Sequence, residues 1–305
     1  MKSVVENVAI VGAGALGAAY GSILFDMDKR SVAFVAAGDR LERLRQEGLI
    51  VNGRQYDIPV LHPDDPSPPA DLLIVAVKYH HLDAAIREMK RRIGAETIIM
   101  SVMNGIDSEE RIGAVYGMEN VLYAVAVGID ALRDGNRVTY TNQGKIYFGE
   151  AKNPSLTDRV KKVQALFDKA GIVYETPPDM LRILWWKFMI NVGINQASAV
   201  LRAPYGVFQT SKEARDLMAS AMREVIALAG KVHVSLSEQD MADFDPFLAR
   251  LSPQGKTSML QDVEAGRKTE VEMLAGKIIE MGRRVGVSTP VNQMLFDQIK
   301  KIETP

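Results

Sequence analysis

Three polar side chains recur at intervals of four residues in an otherwise apolar segment, and they could carry acid chemistry. They are Lys187, Asn191 and Asn195, within LRILWWKFMINVGINQASAV. In an α-helix this spacing places them on one face, with a drift of about 40° per step. A lysine in a dry cleft has a lowered pKa, which suits a general acid near neutral pH. The alternative is a lysine that reaches solvent and two asparagines that bond core or backbone groups.

A second segment repeats the spacing of four and offers groups that could work with Lys187. Its members are Ser258, Asp262, Gly266 and Glu270. On a single predicted helix over residues 258–285 they form a ridge with a hydroxyl, two carboxylates and a glycine that a ligand can approach closely. A carboxylate that meets Lys187 would position it and keep it charged. The alternative is that Ser258 only caps the helix and that the carboxylates pair with Arg267 or Lys268 on a solvated face.

A glycine-rich turn near the start of the chain predicts a dinucleotide site. Residues Val8–Val11 predict a buried parallel strand, the motif GAGALG follows, and a predicted helix runs to about Met27. The motif residues are Gly12, Ala13, Gly14, Ala15, Leu16 and Gly17. The first glycine permits a tight turn, the second lets a pyrophosphate approach the backbone, and the third packs the helix close to the strand. The free N–H groups at the helix start attract phosphates.

Two other interpretations of this stretch are weaker. A glycine turn that binds nothing has no need of a strand before it and a helix after it. The uncharged run over residues 7–25 could mark a membrane span or a signal peptide. Its four glycines, and Glu6 directly before it, argue against both.

The residues after the second predicted strand bear on the choice of nicotinamide cofactor. An acidic residue about 20 positions after the glycines binds the ribose of NAD, and an arginine there favours NADP. That position is Ala37, and Asp39 and Arg40 lie just beyond it. We expect Arg40 or Arg43 to bind a 2′-phosphate, which favours NADPH, with NAD as the other candidate cofactor. The alternative is that these arginines form a solvated helix face and that Asp39 is a helix cap.

The elements that must position these residues differ between the two halves of the chain. Residues 1–177 alternate short apolar runs with amphipathic segments, which predicts an α/β Rossmann-type, doubly wound parallel sheet that binds the dinucleotide. The predicted strands are 8–11, 31–36, short strands within 49–61, 72–77, 97–102, 121–129, 137–148 and 172–176. After Pro177-Pro178 the pattern predicts an all-α domain over residues 178–305, with helices at about 178–200, 212–232, 258–285 and 290–301. We expect this C-terminal domain to hold the substrate and catalytic residues, and the active site to lie in the cleft between the domains.

Composition excludes several classes of function. The 305 residues carry a net charge of −1, and no basic run exceeds three residues, so nucleic acid is not an expected partner. The chain contains no cysteine, which excludes disulfides, thiolate metal sites and cysteine nucleophiles and fits a reducing cytoplasm. The four histidines show no metal-ligand spacing, so no metal is expected. Because glycines interrupt the uncharged run over residues 7–25, no membrane association is expected either.

These motifs, taken together and in order, resemble the ketopantoate reductase family over nearly the whole chain. Besides the glycine turn and the Lys187 helix, the resemblance includes Lys78 after LLIVAV, Asn104-Gly105 after the next strand, and the segments SMLQD and TEVEMLAG. Such membership implies NADPH-dependent reduction of the small 2-keto acid 2-dehydropantoate to pantoate, a step towards coenzyme A.

The resemblance also implies roles for individual residues. Lys187 would protonate the carbonyl oxygen as hydride arrives, and Glu270 would bind the substrate hydroxyl, orient Lys187 and contact the cofactor. Asn191, Asn195 and Ser258 would hold the substrate's carboxylate and hydroxyl groups, with Asp262 supporting them. Lys78 and Asn104 would lie near the nicotinamide ribose, where Asn104 would also meet the substrate.

Four positions depart from the family pattern, and they keep two alternatives open. Ala37 stands where an arginine is frequent, Gln196 where a proline is common, Ala275 where an asparagine is usual, and Tyr205 where a smaller polar side chain lies near the substrate. The first alternative is a sister NAD(P)-dependent reductase that acts on another 2-keto or hydroxy acid. The remote alternative is a dinucleotide-binding regulator without enzymatic activity. The helix predicted from Ser258 could bury either the core or the face of a homodimer.

Overall fold

The computed structural model describes residues 4–303, and the chain divides between Leu181 and Arg182 into two compact units. The first unit alternates strands and helices, whereas the described residues of the second contain helices and no strand. This contrast follows the hydrophobic pattern of the sequence. Short apolar runs dominate before residue 176, and longer helical patterns dominate after it.

A large sheet forms the centre of the first unit. The strands of the unit are β1 (Val8–Val11), β2 (Val32–Val35), β3 (Leu49–Val51), β4 (Arg54–Tyr56), β5 (Val60–Leu61), β6 (Leu72–Val75), β7 (Ile98–Ser101), β8 (Val121–Val127), β9 (Leu132–Asp134), β10 (Arg137–Thr139), β11 (Lys145–Gly149) and β12 (Tyr174–Glu175). Eight of them pair in the order β12-β11-β8-β7-β6-β1-β2-β5. Neighbours run parallel except β8 and β11, which are antiparallel because no crossover helix separates them. The predicted doubly wound sheet is confirmed.

Helices cover both faces of this sheet. They are α1 (Ala15–Met27), α2 (Asp39–Glu47), α3 (Leu82–Glu88), α4 (Ser108–Tyr116) and α5 (Asp158–Ala170). On one face, α1 and α5 contribute Leu24 and Phe167 to the same apolar cluster as Ile10. On the other face, α3 and α4 contribute Leu82 and Ile112 to the same cluster as Val11. Strand β1 is therefore buried on both faces, which explains its uninterrupted apolar sequence.

A smaller sheet takes the order β4-β3-β10-β9. Its β3–β4 hairpin turns at Asn52 and Gly53, which both have positive φ, as an Asn-Gly turn favours. The predicted strand over residues 137–148 is wrong in extent, because it is divided into β10 and β11 in two different sheets. The carboxylate of Asp130 accepts the backbone N–H groups of Thr141 and Asn142 and so takes this stretch out of either ladder.

The second unit is a set of helices around one long central helix. Its helices are α6 (Met180–Ile190), α7 (Gln196–Leu201), α8 (Tyr205–Thr210), α9 (Lys212–Lys231), α10 (Glu238–Ala242), α11 (Asp245–Arg250), α12 (Ser258–Glu264), α13 (Lys277–Val285) and α14 (Pro290–Glu303). Helix α9 contacts α7, α8, α10, α13 and α14. The helices predicted over residues 212–232 and 290–301 are confirmed as α9 and α14.

The single helix predicted over residues 258–285 is wrong. Helix α12 ends at Glu264, and Gly266 adopts a positive φ of 62°. The N–H of Arg267 then bonds the carbonyl of Asp262, which closes the helix end in the manner of a Schellman motif. Glu270 therefore does not continue the ridge of Ser258 and Asp262.

Helix α1 was the segment with the strongest membrane-like composition, and it lies against the central sheet. Its residues Ala18, Ala19 and Leu24 are fully buried in the core of the first unit. Across residues 4–303, the structure has no helix with the length and apolarity needed to cross a membrane.

Candidate active site

The glycine turn leaves a space that fits a dinucleotide phosphate. Gly12 has a φ of 107°, and a Cβ added to it would lie 2.5 Å from the carbonyl oxygen of Ala76. A Cβ on Gly17 would collide with the carbonyl oxygen of Gly12. Gly14 is different, since a Cβ there would meet only the carbonyl oxygen of Ala76 at 3.8 Å. The protein's own packing requires two of the glycines, and the third keeps the backbone open beside the N-terminus of α1, as a pyrophosphate site needs.

Two further predicted residues lie at the same edge of the sheet as this turn. Lys78 follows β6 and Asn104 follows β7, and both side chains are half-buried. Strands β1, β6 and β7 are parallel neighbours, with Val11 opposite Val75 and Val75 opposite Ser101. Because β2 lies on one side of β1 and β6 on the other, this edge is the switch point where open α/β sheets bind ligands.

The arginines predicted to meet a 2′-phosphate are not equivalent. The guanidinium of Arg40 forms an ion pair with Glu88 at the end of α3. Arg43 is exposed on the same helix, α2. The N-cap of α2 is Gly38, so Asp39 lies in the first helical turn and is not the cap. Binding of a 2′-phosphate by Arg40 stays a prediction, and it would compete with an existing carboxylate partner.

The helix that carries Lys187 widens at the two asparagines. Helix α6 continues into a π turn over Asn191–Asn195 and then into α7. We call this turn the first π turn. A spacing of four residues is slightly more than one turn of an α-helix and slightly less than one turn of a wider π-helix. The angular drift of side chains at this spacing therefore has opposite directions in the two segments. Asn191 and Asn195 are 4% and 8% exposed. The wider turn keeps these polar side chains near one face, and such turns are frequent at functional sites.

A buried polar chain supports the first π turn from two distant helices. The Nε2 group of Gln196 donates to the carbonyl of Val192 at 2.7 Å and to Oδ1 of Asn292 at 3.0 Å. Asn292 in turn donates from Nδ2 to Glu224 at 2.7 Å. Glu224 also accepts the N–H groups of Val291 and Asn292 at the start of α14. Gln196 therefore bonds a backbone carbonyl inside the turn that carries both asparagines.

Lys187 has the electrostatic character expected of a general acid. Its side chain is half-buried on α6, and burial lowers its pKa to about 8. Trp185 and Phe188, which pack edge to face, flank it in sequence. In the described part of the chain no carboxylate contributes to this pKa, so the expected carboxylate partner is not observed. Desolvation alone weakens the hold of the amine on its proton.

The segment around Ser258 is arranged by its neighbour. Thr257 is the N-cap of α12, and its hydroxyl accepts the N–H of Leu260 at 3.1 Å. Thr257 also donates to Ser198 on α7 at 3.1 Å. Ser258 follows with an exposed side chain, so the alternative in which Ser258 is the cap is wrong. Asp262 is buried, and its carboxylate accepts from Nε of Arg267 at 2.9 Å.

Glu270 lies in the next segment, two residues before a second π turn over Glu272–Gly276. It is 9% exposed. The preceding residue, Thr269, donates both its N–H and its hydroxyl to Glu303, at 2.8 and 2.6 Å, and so ties the segment to the last helix. The second π turn packs against the first π turn. Two irregular turns, and not one helical ridge, bring these segments together.

Comparison with known proteins identifies the family of both parts of the chain. The family described as "Ketopantoate reductase PanE/ApbA" matches residues 8–153, and "Ketopantoate reductase PanE/ApbA C terminal" matches residues 179–303. A protein of Archaeoglobus fulgidus named 2-dehydropantoate 2-reductase is 30% identical over 304 residues, which cover 98% of this chain and 99% of that protein. The chain belongs to the ketopantoate reductase family. The resemblance inferred from the motifs is confirmed.

Solved structures share the fold of this ketopantoate reductase family member over almost its full length. A 2-dehydropantoate 2-reductase from Geobacter metallireducens superposes with a TM-score of 0.85 at 27% identity, covering 97% of this chain and 99% of its own. D-mandelate dehydrogenase, solved with NADH and anilino(oxo)acetate, superposes with a TM-score of 0.88 at 20% identity, covering 97% and 98%. At that identity the second similarity concerns the fold alone.

Several residues that shape the site of this family member were missed from the sequence. Gln196 was noted only as a departure from the family pattern, and its partners Asn292 and Glu224 were not noted at all. Thr257 directly precedes the segment SMLQD but was not assigned a role, and Glu303 has no motif around it. Arg133 also escaped notice, although its Nη1 donates to the carbonyl of Ala13 inside the glycine turn. The pairing of strands and helices within each unit, and not local spacing, sets the positions of these groups.

Proposed function

We propose that the protein reduces 2-dehydropantoate to pantoate with NADPH. The observation that carries the proposal is Lys187, a half-buried lysine whose pKa burial lowers to about 8, on α6 one helical turn before the first π turn, which carries Asn191 and Asn195. It stands in a chain that belongs to a family of oxidoreductases and carries a glycine turn suited to a dinucleotide. The conversion of a ketone to an alcohol needs one hydride and one proton, and these two features match the two requirements.

Lys187 supplies the proton in this scheme. NADPH, when bound, supplies the hydride. The ammonium of Lys187 donates a proton to the carbonyl oxygen as negative charge develops there, and the neutral amine then regains a proton from water. With a pKa of about 8, about nine-tenths of the lysines are protonated at pH 7. The proton is therefore present and only weakly held.

The remaining predicted residues bind and orient. Asn191 and Asn195 hold the substrate's carboxylate and hydroxyl groups with amide donors, and Ser258 adds a hydroxyl. Glu270 accepts from the substrate hydroxyl. The N–H groups at the start of α1 bind the cofactor pyrophosphate, and Lys78 and Asn104 contact its nicotinamide half. Asp262, held by Arg267, supports the segment that begins at Ser258.

The deciding experiment is an initial-rate assay of the purified protein with 2-dehydropantoate and NADPH, compared with NADH and with a panel of other 2-keto acids. We expect 2-dehydropantoate to give the highest kcat/KM, with NADPH preferred. A clearly higher kcat/KM on another keto acid would replace the substrate and keep the reaction class. Absence of turnover on every keto acid, while reduced cofactor still binds, would overturn the reductase proposal.

A further inference from the structure

An arginine from the small sheet reaches into the glycine turn. Arg133 lies on the edge strand β9, and its Nη1 donates to the carbonyl of Ala13, between the first two glycines of the motif. Its Nε donates to the carbonyl of Gly135 at 2.8 Å, which fixes the plane of the guanidinium. Two carbonyls take two of its five N–H groups. In the part of the chain that the structure describes, its Nη2 has no acceptor and is not sealed from solvent.

Among the described residues, no carboxylate forms an ion pair with Arg133 to neutralise its positive charge. Within residues 4–303 it forms no ion pair, and both burial and the nearby charge of Arg43 lower its pKa. Glu47 offsets this repulsion only in part. Burial of a cation without a carboxylate is unfavourable, and two cations that repel each other add to the cost. An anion between them would remove both penalties.

The other arginines of α2 are already engaged. Arg40 pairs with Glu88, and Arg45 bonds the carbonyl of Val60 and lies 3.9 Å from a carboxylate oxygen of Asp65. Arg43 has no such partner among the described residues, and it is the α2 arginine whose charge lowers the pKa of Arg133. Ala37, at the position where an arginine would favour NADP, carries no charge.

We propose that Arg133 and Arg43 together bind the 2′-phosphate of NADPH and set the preference for NADPH over NADH, an inference that rests on the proposed function. The two cations come from different elements, and Arg133 bonds a turn whose open position, Gly14, fits the dinucleotide. Arg43 is near enough for its charge to lower the pKa of Arg133. A phosphate accepts two parallel N–H bonds from a guanidinium, and Arg133 has its Nη2 donors free to supply them. Of the two arginines expected at this phosphate, the assignment keeps Arg43 and replaces Arg40 with Arg133.

Equilibrium binding tests the assignment without reliance on turnover. NADPH and NADH are titrated by fluorescence, and adenosine 2′,5′-bisphosphate and 5′-AMP serve as competing probes. Arg133→Met is expected to weaken NADPH and the bisphosphate about tenfold or more, and to change NADH and 5′-AMP by less than about twofold. Arg43→Met should act in the same direction, and Arg133→Lys, which keeps the charge but loses the fork, should give a smaller loss.

Arg40→Met is the matched control, since Arg40 lies on the same helix as Arg43 but pairs with Glu88. It should leave the ratio of NADPH to NADH affinity within about twofold of wild type. Equal losses for NADPH and NADH in Arg133→Met, unchanged binding, or a selective loss in Arg40→Met would each overturn the assignment. If Arg133→Met fails to fold, Arg43→Met and Arg133→Lys decide.

The wild-type protein separates this inference from the proposed function. Tight NADPH binding without turnover of 2-dehydropantoate would reject the proposed reaction. The binding of NADPH and NADH by the arginine variants would still test the 2′-phosphate site. Turnover with a clear preference for NADH would reject the 2′-phosphate site and keep the reductase. A wild-type protein that binds neither cofactor would reject both.

Discussion

The glycine turn of the first unit and the first π turn of the second unit both depart from regular structure, but for different reasons. Three glycines within six residues shape the glycine turn, and the collision that excludes a Cβ from Gly17 lies inside the motif. The first π turn contains no such signature. The side chain that bonds its carbonyl, Gln196, is held by Asn292, which lies 96 residues further along the chain. A collision within the motif restricts the glycine turn at Gly17, whereas hydrogen bonds from distant helices support the first π turn.

The two regions also differ in electrostatics. The glycine turn presents backbone N–H groups and a neighbouring arginine, which favour an anion. The π-turn region holds a lysine whose pKa is lowered by burial, which favours release of a proton. Substitutions in the two regions should therefore affect different measured quantities.

The largest effect is expected from Lys187→Met. The rate of reduction should fall a hundredfold or more, because the general acid is lost. Thermal stability at pH 7 should rise, because the folded-state pKa of about 8 lies below the usual lysine value of 10.5 and the charged form is disfavoured by folding. Steady-state kinetics and thermal unfolding check both expectations, with the exposed Lys231→Met as the control. A variant within twofold of the wild-type rate would remove Lys187 from the mechanism.

The pair Gly17→Ala and Gly14→Ala tests whether the glycine turn is locally determined. Gly17→Ala should destabilise the protein by about 3 kcal/mol, because its Cβ collides with a backbone carbonyl. Gly14→Ala should stay within about 1 kcal/mol of wild type but weaken NADPH binding about tenfold, because its Cβ enters only the ligand space. Urea unfolding and fluorescence titration measure the two effects. If Gly14→Ala binds NADPH normally, the open space is not the phosphate site.

Glu109 in the first unit resembles Lys187 in the second, because burial shifts the pKa of both side chains. The pH dependence of stability therefore gives a further comparison of the two units. Glu109 is 2% exposed, accepts from Ser108 at 2.8 Å, and burial raises its pKa to about 7. A raised folded-state pKa stabilises the protein below the unfolded value of about 4.5, and that contribution is lost as the pH rises through about 7. Relative to Glu109→Gln, the wild type should lose up to about 3 kcal/mol between pH 4.5 and pH 8.

Urea unfolding of wild type and Glu109→Gln at both pH values measures that loss. Glu110→Gln on the exposed face of α4 is the control, and its stability difference from wild type should stay nearly constant. A pH-independent difference for Glu109→Gln would show that Glu109 does not titrate in this range.

Reduction itself should fall as the pH rises through about 8, because that is where Lys187 loses its proton.

The smallest effect is expected from Gln196→Leu, which tests the long-range support of the first π turn. Loss of the bond to Val192 should lower kcat about tenfold, because Asn191 and Asn195 are then held less firmly. NADPH binding should be unchanged, because no predicted cofactor residue lies in this turn. Gln293→Leu, at a half-buried position of α14 whose partner is Asp297, is the control and should not change kcat. A loss of NADPH affinity equal to the loss in kcat would contradict this division between the regions.

Much of the fold and part of the site could be predicted from the sequence. The doubly wound sheet, the helix after the glycine turn and the helices α9 and α14 were predictable because each depends on a local hydrophobic period. The ridge from Ser258 to Glu270 was predicted wrongly, since the same spacing of four continues across a helix end at Gly266. The roles of individual site residues, the cytoplasmic location and the homodimer stay predictions.

The sequence by itself determined the glycine turn, the family and the identity of the lysine that could donate a proton, because each is encoded by residues that are close together in the chain. Only the tertiary structure decided which arginine stands beside the glycine turn, which groups hold the first π turn and how far the pKa of Lys187 falls. These properties depend on desolvation and on hydrogen bonds between elements far apart in sequence. Periodicity along the chain carries no information about such distances.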